Sequence, residues 1–306
     1  MTRANLIPEH ETGFDRVLSF TLAERHARGR VVRLGPVLDQ ILSAHAYPPP
    51  IRRQLAEALV LTALMGSLLA DDGSQLTVQA QTEGGIVDLL ACDYRGGELR
   101  GYIRHDAQRL AQLGKNPSLF ALFGKGYLAI TFDLAANNQR YQGIVPLEGD
   151  SLAEACQTYF SQSEQLPTLI RIGLRDTPNG TIAGGLLAQH LAEGEAEDGD
   201  GRERLHVRLD HPEWAHVAAL AGSTKADELT DSALSCETLV WRLFHEENEV
   251  RVLRGAPLVK GCRCTVEHYR DVLARFPVEE LAEMRGDDGF ISVDCAFCSK
   301  AFPIDL

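Results

Sequence analysis

The sequence has no apolar run long enough to cross a bilayer. Its longest, from Leu59 to Ala70, spans about a dozen residues, whereas a membrane-spanning helix needs about 20. Near Met1 no basic segment precedes an apolar stretch, so we expect no secretory signal. These absences predict a cytoplasmic protein with no membrane partner. In a reducing cytoplasm, cysteines stay free or bind metal rather than form stable disulfides.

Positive charge is also scarce. The chain has 30 Lys and Arg residues against 43 Asp and Glu residues, a formal net charge of −13. Between Arg251 and Leu306 there are eight basic and nine acidic residues. Binding to a phosphate backbone depends on clustered Lys and Arg, so we expect no nucleic-acid partner. Salt-dependent binding to DNA or RNA would revive the alternative of a nucleic-acid-binding zinc ribbon.

The sequence also shows no recognisable arrangement of catalytic residues. His211 and His216 are five residues apart, which is the wrong spacing for two ligands on one helical face, and the segment after His245 lacks the second histidine of an H-E-x-x-H motif. Glycine pairs such as Gly184-Gly185 do not fit a phosphate-binding loop. We therefore expect a protein that is not an enzyme and that acts without ATP.

What the sequence does have is four cysteines in two pairs near its C-terminus. Cys262 and Cys264 form a C-x-C motif, and Cys295 and Cys298 form a C-x-x-C motif after 30 intervening residues. Such pairs supply the four thiolates of a tetrahedral Zn²⁺ site, so we predict that all four bind one zinc ion. An iron–sulfur centre, a bare dithiol pair or a ligand exchange with His268 are the alternatives. A filled coordination shell argues against a zinc hydrolase or deaminase.

A four-cysteine zinc site is either a permanent structural element or a switch. A structural zinc contributes on the order of 10–16 kcal/mol to a small module, comparable with the whole stability of a domain, about 5–15 kcal/mol. Loss of the metal should therefore unfold the module. A disulfide between Cys262 and Cys264 would span one residue and would have to bend the chain, and strained disulfides are readily reduced again. Both arguments favour a switch.

The other three cysteines, Cys92, Cys156 and Cys236, lie alone in the sequence. For each of them we expect a small buried apolar side chain rather than a reactive thiol.

The order of elements predicts an α+β fold with a mainly antiparallel sheet. Ser151 and Glu154 form a capping box that opens a helix to about Gln165. Further helices are predicted at 36–45, 51–70, 212–221, 226–234, 236–246, 265–276 and 277–284. Strands are predicted at 75–82, 86–93, 98–104, 126–133, 140–146, 169–175 and 290–293.

A change of composition divides the chain. The stretch from Glu193 to Arg204 holds six acidic residues and three glycines, so it cannot bury an apolar face and marks a boundary or an exposed loop. We predict a core α+β domain at 1–192, a helical linker at 193–255, and a zinc-binding module at 256–306. A module of that size needs a metal to compensate for its small core.

The sequence resembles the 33-kDa chaperonin family, the redox-regulated holdase chaperones of bacteria. The cysteine pattern carries the resemblance together with four segments in the expected order. These are Tyr141-Gln-Gly-Ile-Val-Pro-Leu-Glu-Gly-Asp150, Tyr159-Phe-Ser-Gln-Ser-Glu-Gln-Leu-Pro-Thr168, Trp241-Arg-Leu-Phe-His-Glu-Glu247, and the stretch from Glu279-Glu-Leu to Gly289-Phe-Ile.

The resemblance implies a cytosolic chaperone that is inactive while reduced and zinc-bound. Oxidation would form the disulfides Cys262–Cys264 and Cys295–Cys298 and release the metal. The module and the linker would then unfold and expose apolar surface that binds unfolding client proteins without ATP. Members of the family also tend to dimerise when activated. The resemblance therefore assigns client binding and dimerisation to the core domain at 1–192, metastability to the linker at 193–255 and the redox switch to the module at 256–306.

A second hypothesis is a thiol–disulfide oxidoreductase that uses Cys295-Ala-Phe-Cys298 as its dithiol. In that class the motif normally opens a helix after a strand, which lowers the pKa of the thiol. Pro303 follows soon after Cys298 and leaves little room for such a helix. An insulin-reduction assay separates the two hypotheses.

Overall fold

The computed structural model describes residues 13–114, 116–178, 180–191 and 211–305. Within these ranges the strands are β1 (Arg16–Leu22), β2 (Ala27–Leu34), β3 (Gln75–Glu83), β4 (Val87–Arg95), β5 (Glu98–His105), β6 (Lys125–Leu134), β7 (Gln139–Pro146), β8 (Thr168–Thr177), β9 (Gly180–His190), β10 (Val250–Pro257), β11 (Val259–Lys260), β12 (Ile291–Asp294) and β13 (Ala301–Ile304). The helices are α1 (Pro36–Leu42), α2 (Pro49–Gly66), α3 (Ala107–Leu110), α4 (Leu119–Phe123), α5 (Leu152–Gln162), α6 (Pro212–Gly222), α7 (Ala226–Thr230), α8 (Cys236–Phe244), α9 (Val266–Leu273) and α10 (Val278–Met284).

Two large sheets form the body of the described chain. One has five strands in the order β10-β1-β2-β9-β8, and the other has six in the order β11-β5-β4-β3-β6-β7. Neighbouring strands are antiparallel except for the short β11, which runs parallel to β5. The predicted α+β class with a mainly antiparallel sheet is confirmed.

The long helix α2 lies in the main core, the largest group of buried apolar residues, and contacts strands of both large sheets. Pro49 opens the helix at a position where its missing N–H costs nothing. Thirteen of the 18 residues of α2 are buried, which explains why its sequence is apolar on nearly every side. The structure describes no helix that is long and apolar enough to span a membrane.

The helices α6, α7 and α8 pack on one face of the five-stranded sheet. Together they form what we call the linker core, made of Leu18, Phe20, Leu22, Ala27, Val31, Leu186 and Ala188 from the sheet and Trp214, Val217, Ala221, Leu229, Leu234, Cys236, Leu239, Val240 and Phe244 from the helical segment. The mixed polarity of these helices follows from this position, because one side faces the sheet and the other faces water.

Arg33 of β2 joins this helical segment to the sheet. Its side chain is 1% exposed, and its guanidinium donates hydrogen bonds to the carbonyl oxygens of Leu229 at 2.8 Å, Leu234 at 2.7 Å and Glu228 at 3.1 Å. These bonds also explain why the helix predicted at 226–234 is shorter. The chain leaves the helix at Asp231, where the backbone becomes extended, and side chains of the sheet take up its last carbonyls.

The predicted capping box at Ser151 is half formed. Ser151 Oγ accepts a hydrogen bond from the backbone N–H of Glu154 at 3.2 Å, as predicted. Glu154 Oε2, however, accepts from the backbone N–H of Asp150 at 2.8 Å rather than from that of Ser151. Residues 151–165 therefore begin as a helix as predicted, and the helix ends three residues early, at Gln162.

Several strands were not anticipated from the sequence. The pair β1 and β2, the glycine-containing β9 and the strand β10 were all absent from the predicted elements. Of the predicted linker, residues 250–255 lie in β10, which pairs with β1 at the edge of the five-stranded sheet. The acidic stretch from Glu193 to Arg204, and with it the predicted boundary at residue 193, lies outside the described residues.

Candidate metal centre

The four cysteines are held by short elements of the C-terminal module. Cys262 and Cys264 lie in the loop that follows β11, and Thr265 then caps α9 by accepting the backbone N–H of His268 at 3.1 Å. Cys295 and Cys298 lie in the turn between β12 and β13. Two hydrogen bonds close that turn, from Ser299 N to the carbonyl of Cys295 at 2.8 Å and from Cys295 N to the carbonyl of Lys300 at 3.0 Å.

The four sulfur atoms form one cluster, in which all lie within 4.8 Å of one another. The Sγ atoms of Cys262 and Cys264 are 3.2 Å apart, those of Cys262 and Cys295 are 3.5 Å apart, and those of Cys264 and Cys298 are 3.6 Å apart. Four ligands at a Zn–S distance of about 2.3 Å in a tetrahedron would lie about 3.8 Å apart. The cluster therefore fits a tetrahedral zinc ion.

The environment of Cys295 favours its thiolate. Burial raises the pKa of its thiol, but hydrogen bonds from the Tyr269 hydroxyl and from the backbone amides of Cys298 and Phe297 outweigh burial and lower the pKa to about 6. Burial and the neighbouring sulfurs raise the pKa of Cys264. This split is expected when adjacent thiols compete to ionise, and a bound cation would stabilise all four thiolates.

The cluster lies within a very small apolar core. This module core consists of Leu273, Ile291, Cys295, Phe302 and Ile304, with Tyr269 and the remaining ligand cysteines packed against it. No residue of α10 is buried. A core of this size cannot offset the conformational entropy of some forty residues, so a metal ion held by the four cysteines would supply much of the stability of the module.

The module docks on the edge of the six-stranded sheet. The strand β11 pairs with β5, and Gly261 N donates to the carbonyl of Leu99 at 3.0 Å directly before the first ligand cysteine. On the same side, Arg263 lies 3.6 Å from the carboxylate of Glu98 and donates a hydrogen bond to Gln75. The C-x-C pair is therefore attached to the core through backbone and side chain together.

The C-x-x-C turn makes a second contact with the core. The half-buried Phe297 ring lies under the guanidinium of Arg100 at 4.1 Å, and the ring of Tyr102 meets it edge-on at 6.4 Å. His45 Nε2 lies 2.7 Å from the carbonyl oxygen of Ala296. None of these contacts has a signal in the sequence, because the partner residues lie about 200 residues or more from the turn.

The structure also places the other residues that the sequence analysis considered, the three isolated cysteines and His268. Cys92, Cys156 and Cys236 are buried, and burial raises the pKa of each thiol, which confirms that they are small core side chains. His268 is exposed on α9 and does not belong to the cysteine cluster. No helix begins at Cys295, since a turn leads from β12 to β13.

The fold and the site define a two-sheet α+β protein with a helical segment packed on one sheet and a C-terminal four-cysteine metal module. The chain belongs to the Hsp33 family, since the model described as "Hsp33 protein" matches residues 15–305. Membership in this chaperonin family supports a chaperone role.

Individual relatives agree with this assignment. The chain is 40% identical over 299 residues to the "33 kDa chaperonin" of Caulobacter vibrioides strain NA1000 / CB15N, with 95% of each chain covered. It is 33% identical over 296 residues to the protein of the same name from Escherichia coli strain K12 / DH10B, covering 97% of this chain and 92% of the relative. The fold is similar to the crystal structure of the 33 kDa chaperonin of Thermotoga maritima, with a TM-score of 0.76, 21% identity, and 95% and 94% of the two chains covered.

Proposed function

We propose that the protein is a redox-regulated, ATP-independent holdase chaperone of the cytoplasm and not an enzyme. The observation that carries this proposal is the convergence of Cys262, Cys264, Cys295 and Cys298 within 4.8 Å. These residues form the interior of a module whose own core is too small to fold without them. The most oxidisable side chains of the chain are therefore also those on which the module depends.

In the reduced protein the four thiolates hold one Zn²⁺. The ion supplies structural cross-linking and no catalysis, because four protein ligands leave no coordination position for substrate. The Tyr269 hydroxyl and the backbone amides around Cys295 orient the sulfurs by hydrogen bonding. The docked module in turn holds β11 on the edge of the six-stranded sheet.

Oxidation removes the ligands. For each pair, two thiols and one peroxide molecule give one disulfide and two water molecules, so the sulfurs lose two electrons that reduce the peroxide. We assign the disulfides to Cys262–Cys264 and Cys295–Cys298, the pairing that the family resemblance implies. The four sulfurs lie so close together that proximity alone does not select a pairing, and mass spectrometry of linked peptides tests it.

The surface for clients lies under the linker helices in this proposal. The chain runs from α8 through β10 and β11 directly into Cys262, so loss of the module removes the C-terminal anchor of the linker. When α7 and α8 leave the five-stranded sheet, the sheet face bearing residues such as Leu18, Phe20 and Leu186 becomes exposed. Large apolar patches of this kind bind unfolded chains, and they also provide a surface for dimerisation of the oxidised form.

The experiment measures zinc and chaperone activity together. Peroxide with mild heat should release about one zinc ion per chain and should suppress aggregation of an unfolding client without ATP. Cys262→Ser combined with Cys298→Ser should abolish the response to peroxide, while Cys156→Ala, a truncation of a buried cysteine outside the cluster, should leave it intact. If zinc-free oxidised protein protects the client no better than reduced protein, the proposal fails.

The oxidoreductase hypothesis has less support. A catalytic C-x-x-C motif gains its reactivity from the N-terminus of a helix, and Cys295 instead precedes a turn and the strand β13. Turnover in an insulin-reduction assay at a rate above that of free dithiol would favour this hypothesis over the holdase.

A further inference from the structure

A second group of metal-ligating side chains lies where the five-stranded sheet meets the first linker helix. His190 is the last residue of β9, while His211 and Glu213 open α6. One ligand atom from each of these residues lies within 4.8 Å of the other two. Ligand atoms that share an ion at bond lengths of about 2.0–2.2 Å in a tetrahedron lie about 3.4 Å apart. The separations among the three ligand atoms therefore exceed this spacing by at most about 1.4 Å.

Of these three residues, His190 is buried, and His211 and Glu213 are partly buried. His190 is 3% exposed, its ring stacks on that of His211 with centroids 5.0 Å apart, and the ring of Trp214 lies 6.2 Å away. Such surroundings hold the imidazoles in place and lower the local dielectric constant, and both effects strengthen binding of a cation by neutral and anionic ligands.

The carboxylate of Glu213 is the observation that points to a ligand. Its Oε2 is shielded from solvent and has no hydrogen-bond partner among the described residues. A buried carboxylate oxygen without a donor is unfavourable. Arg25, the nearby cation, directs its Nε to Glu247 at 2.8 Å instead. A metal ion bound between the two imidazoles would neutralise this carboxylate.

The helix cap does not prevent metal binding. His211 Nδ1 accepts the backbone N–H of Glu213 at 3.3 Å, a distance beyond the usual range for an N–H hydrogen bond. The neutral imidazole ring has one lone pair, so a metal would replace this long hydrogen bond. The side chain of His211 therefore exchanges a weak cap for a coordinate bond.

We propose that His190, His211 and Glu213 form a second metal site, which binds one divalent transition-metal ion such as Zn²⁺. Two imidazoles and one carboxylate suit zinc and its neighbours rather than Mg²⁺ or Ca²⁺, which prefer oxygen ligands. Three protein ligands leave a position for water. Imidazole and carboxylate are not on the oxidation pathway of thiolates, so this ion should stay bound when the cysteine cluster is oxidised and should tie α6 to the end of β9.

The test uses the full-length reduced protein with its cysteine cluster saturated with zinc. Co²⁺ is then added and followed by equilibrium dialysis and visible absorption. Zinc resists displacement by cobalt at the cluster because it binds such sites more tightly. We expect one further equivalent of Co²⁺ per chain, without the sulfur-to-cobalt charge-transfer absorption of a thiolate site. After peroxide treatment and dialysis we expect one metal ion per chain to remain bound, either Co²⁺ or the Zn²⁺ that the cluster releases.

Two variants and a control locate the site. His211→Asn removes the imidazole but keeps a good helix cap, and Glu213→Gln removes the charge with little change of shape. Loss of a residue that merely supports a ligand weakens metal binding 10- to 100-fold, so loss of a direct ligand should weaken it at least about 100-fold. His216→Asn, a change at an exposed histidine of the same helix, should leave the affinity unchanged.

Three outcomes would overturn the proposal. These are a total of one metal ion per chain in the wild type, a second equivalent that persists with full affinity in both His211→Asn and Glu213→Gln, or equal weakening in His216→Asn. Circular dichroism at each step shows that the variants are folded. If His211→Asn does not fold, Glu213→Gln alone decides the outcome.

Discussion

Arg33 has an unusual position for an arginine, because its guanidinium is buried and pairs with backbone carbonyls rather than with a carboxylate. Burial lowers the pKa of its side chain, yet the three carbonyl oxygens that it bonds belong to the end of α7 and to the turn between α7 and α8. A charge is thus placed in the interior to hold a segment that has few backbone bonds of its own to the sheet. We therefore expect Arg33 to control how easily the linker leaves the five-stranded sheet.

Replacing Arg33 should therefore activate the chaperone without oxidation. Arg33→Met keeps the apolar stem and leaves three buried carbonyls without a donor, which should destabilise docking of the linker by about 3–5 kcal/mol. We expect faster amide hydrogen exchange in α7 and α8 and protection of a client by the reduced protein, with zinc still bound. Arg171→Met, which removes an exposed arginine bonded to the carbonyl of Gly222 at 3.2 Å, is the control. Unchanged hydrogen exchange in Arg33→Met would show that the Arg33 hydrogen bonds do not hold the linker on the sheet.

Glu57 is a second buried charge, with a consequence for pH dependence. It lies in α2 and accepts a hydrogen bond from the backbone N–H of Ala153 at 3.0 Å. Burial raises its pKa to about 6 from an ordinary value of 4.5, against the lowering effect of the backbone amides at the start of α5. Because the folded state holds this proton more tightly than the unfolded state, stability should fall as the pH rises from about 4.5 to about 6, by about 2 kcal/mol.

Glu57→Gln tests this prediction, since glutamine keeps the acceptor for Ala153 and cannot ionise. Urea unfolding between pH 4.5 and pH 7 should show that the variant gains about 2 kcal/mol relative to the wild type as the pH rises through this window. Parallel curves for Glu57→Gln would mean that the carboxyl titrates at its ordinary value.

At the scale of elements, the C-x-x-C turn connects the metal cluster to the core through Phe297. Phe297→Ala would remove the ring that lies under Arg100 and against Tyr102, while all four ligands stay in place. We expect weaker docking by about 1–3 kcal/mol and faster zinc release at a fixed peroxide concentration, followed with a chromogenic chelator. Phe290→Ala, at an exposed phenylalanine of the same module, should release zinc at the wild-type rate. Equal rates of zinc release in the two variants would show that the contacts of Phe297 do not affect oxidation of the cluster.

The elements also show what the sequence can and cannot predict. The cysteine cluster could be predicted because a metal site imposes its own spacing on nearby residues. The strand β9 could not, because Gly184 and Gly185 read as a strand breaker, whereas a Cβ at Gly184 would collide with the carbonyl of Leu229 and one at Gly185 with Val60. Here glycine permits close approach of a helix to a sheet, and nothing local distinguishes that use from a turn.

The same reasoning explains why β10 and β2 were missed. The strand β10 gains its structure from β1, more than 200 residues earlier, and its own residues are mostly exposed. In β2 three arginines interrupt the apolar pattern of a buried strand, although Arg33 is buried and donates hydrogen bonds to the helical segment. The metal group of His190, His211 and Glu213 is similarly non-local, since its ligands come from β9 and α6 and have no recognisable spacing in the sequence.

For the whole molecule, the three apolar cores differ greatly in size, and this difference predicts an order of unfolding. The main core includes α2 and strands of both large sheets, the linker core covers one sheet face, and the module core has five buried residues. In the proposed function, only the last depends on a thiolate-bound metal. The linker has two further attachments, the Arg33 hydrogen bonds and the pairing of β10 with β1 from Leu18 to Leu22.

Removal of zinc by a chelator under reducing conditions should therefore unfold the module alone, and the linker should follow only on mild heating. Hydrogen exchange at room temperature should become fast across 262–305 while α8 and α2 stay protected, and a temperature step should then release α8 before α2. Chaperone activity should appear with the second step, because only then does the face of the five-stranded sheet become accessible. If α8 loses protection together with the module at room temperature, the linker has no independent hold on the sheet, and the metal cluster alone keeps the client surface covered.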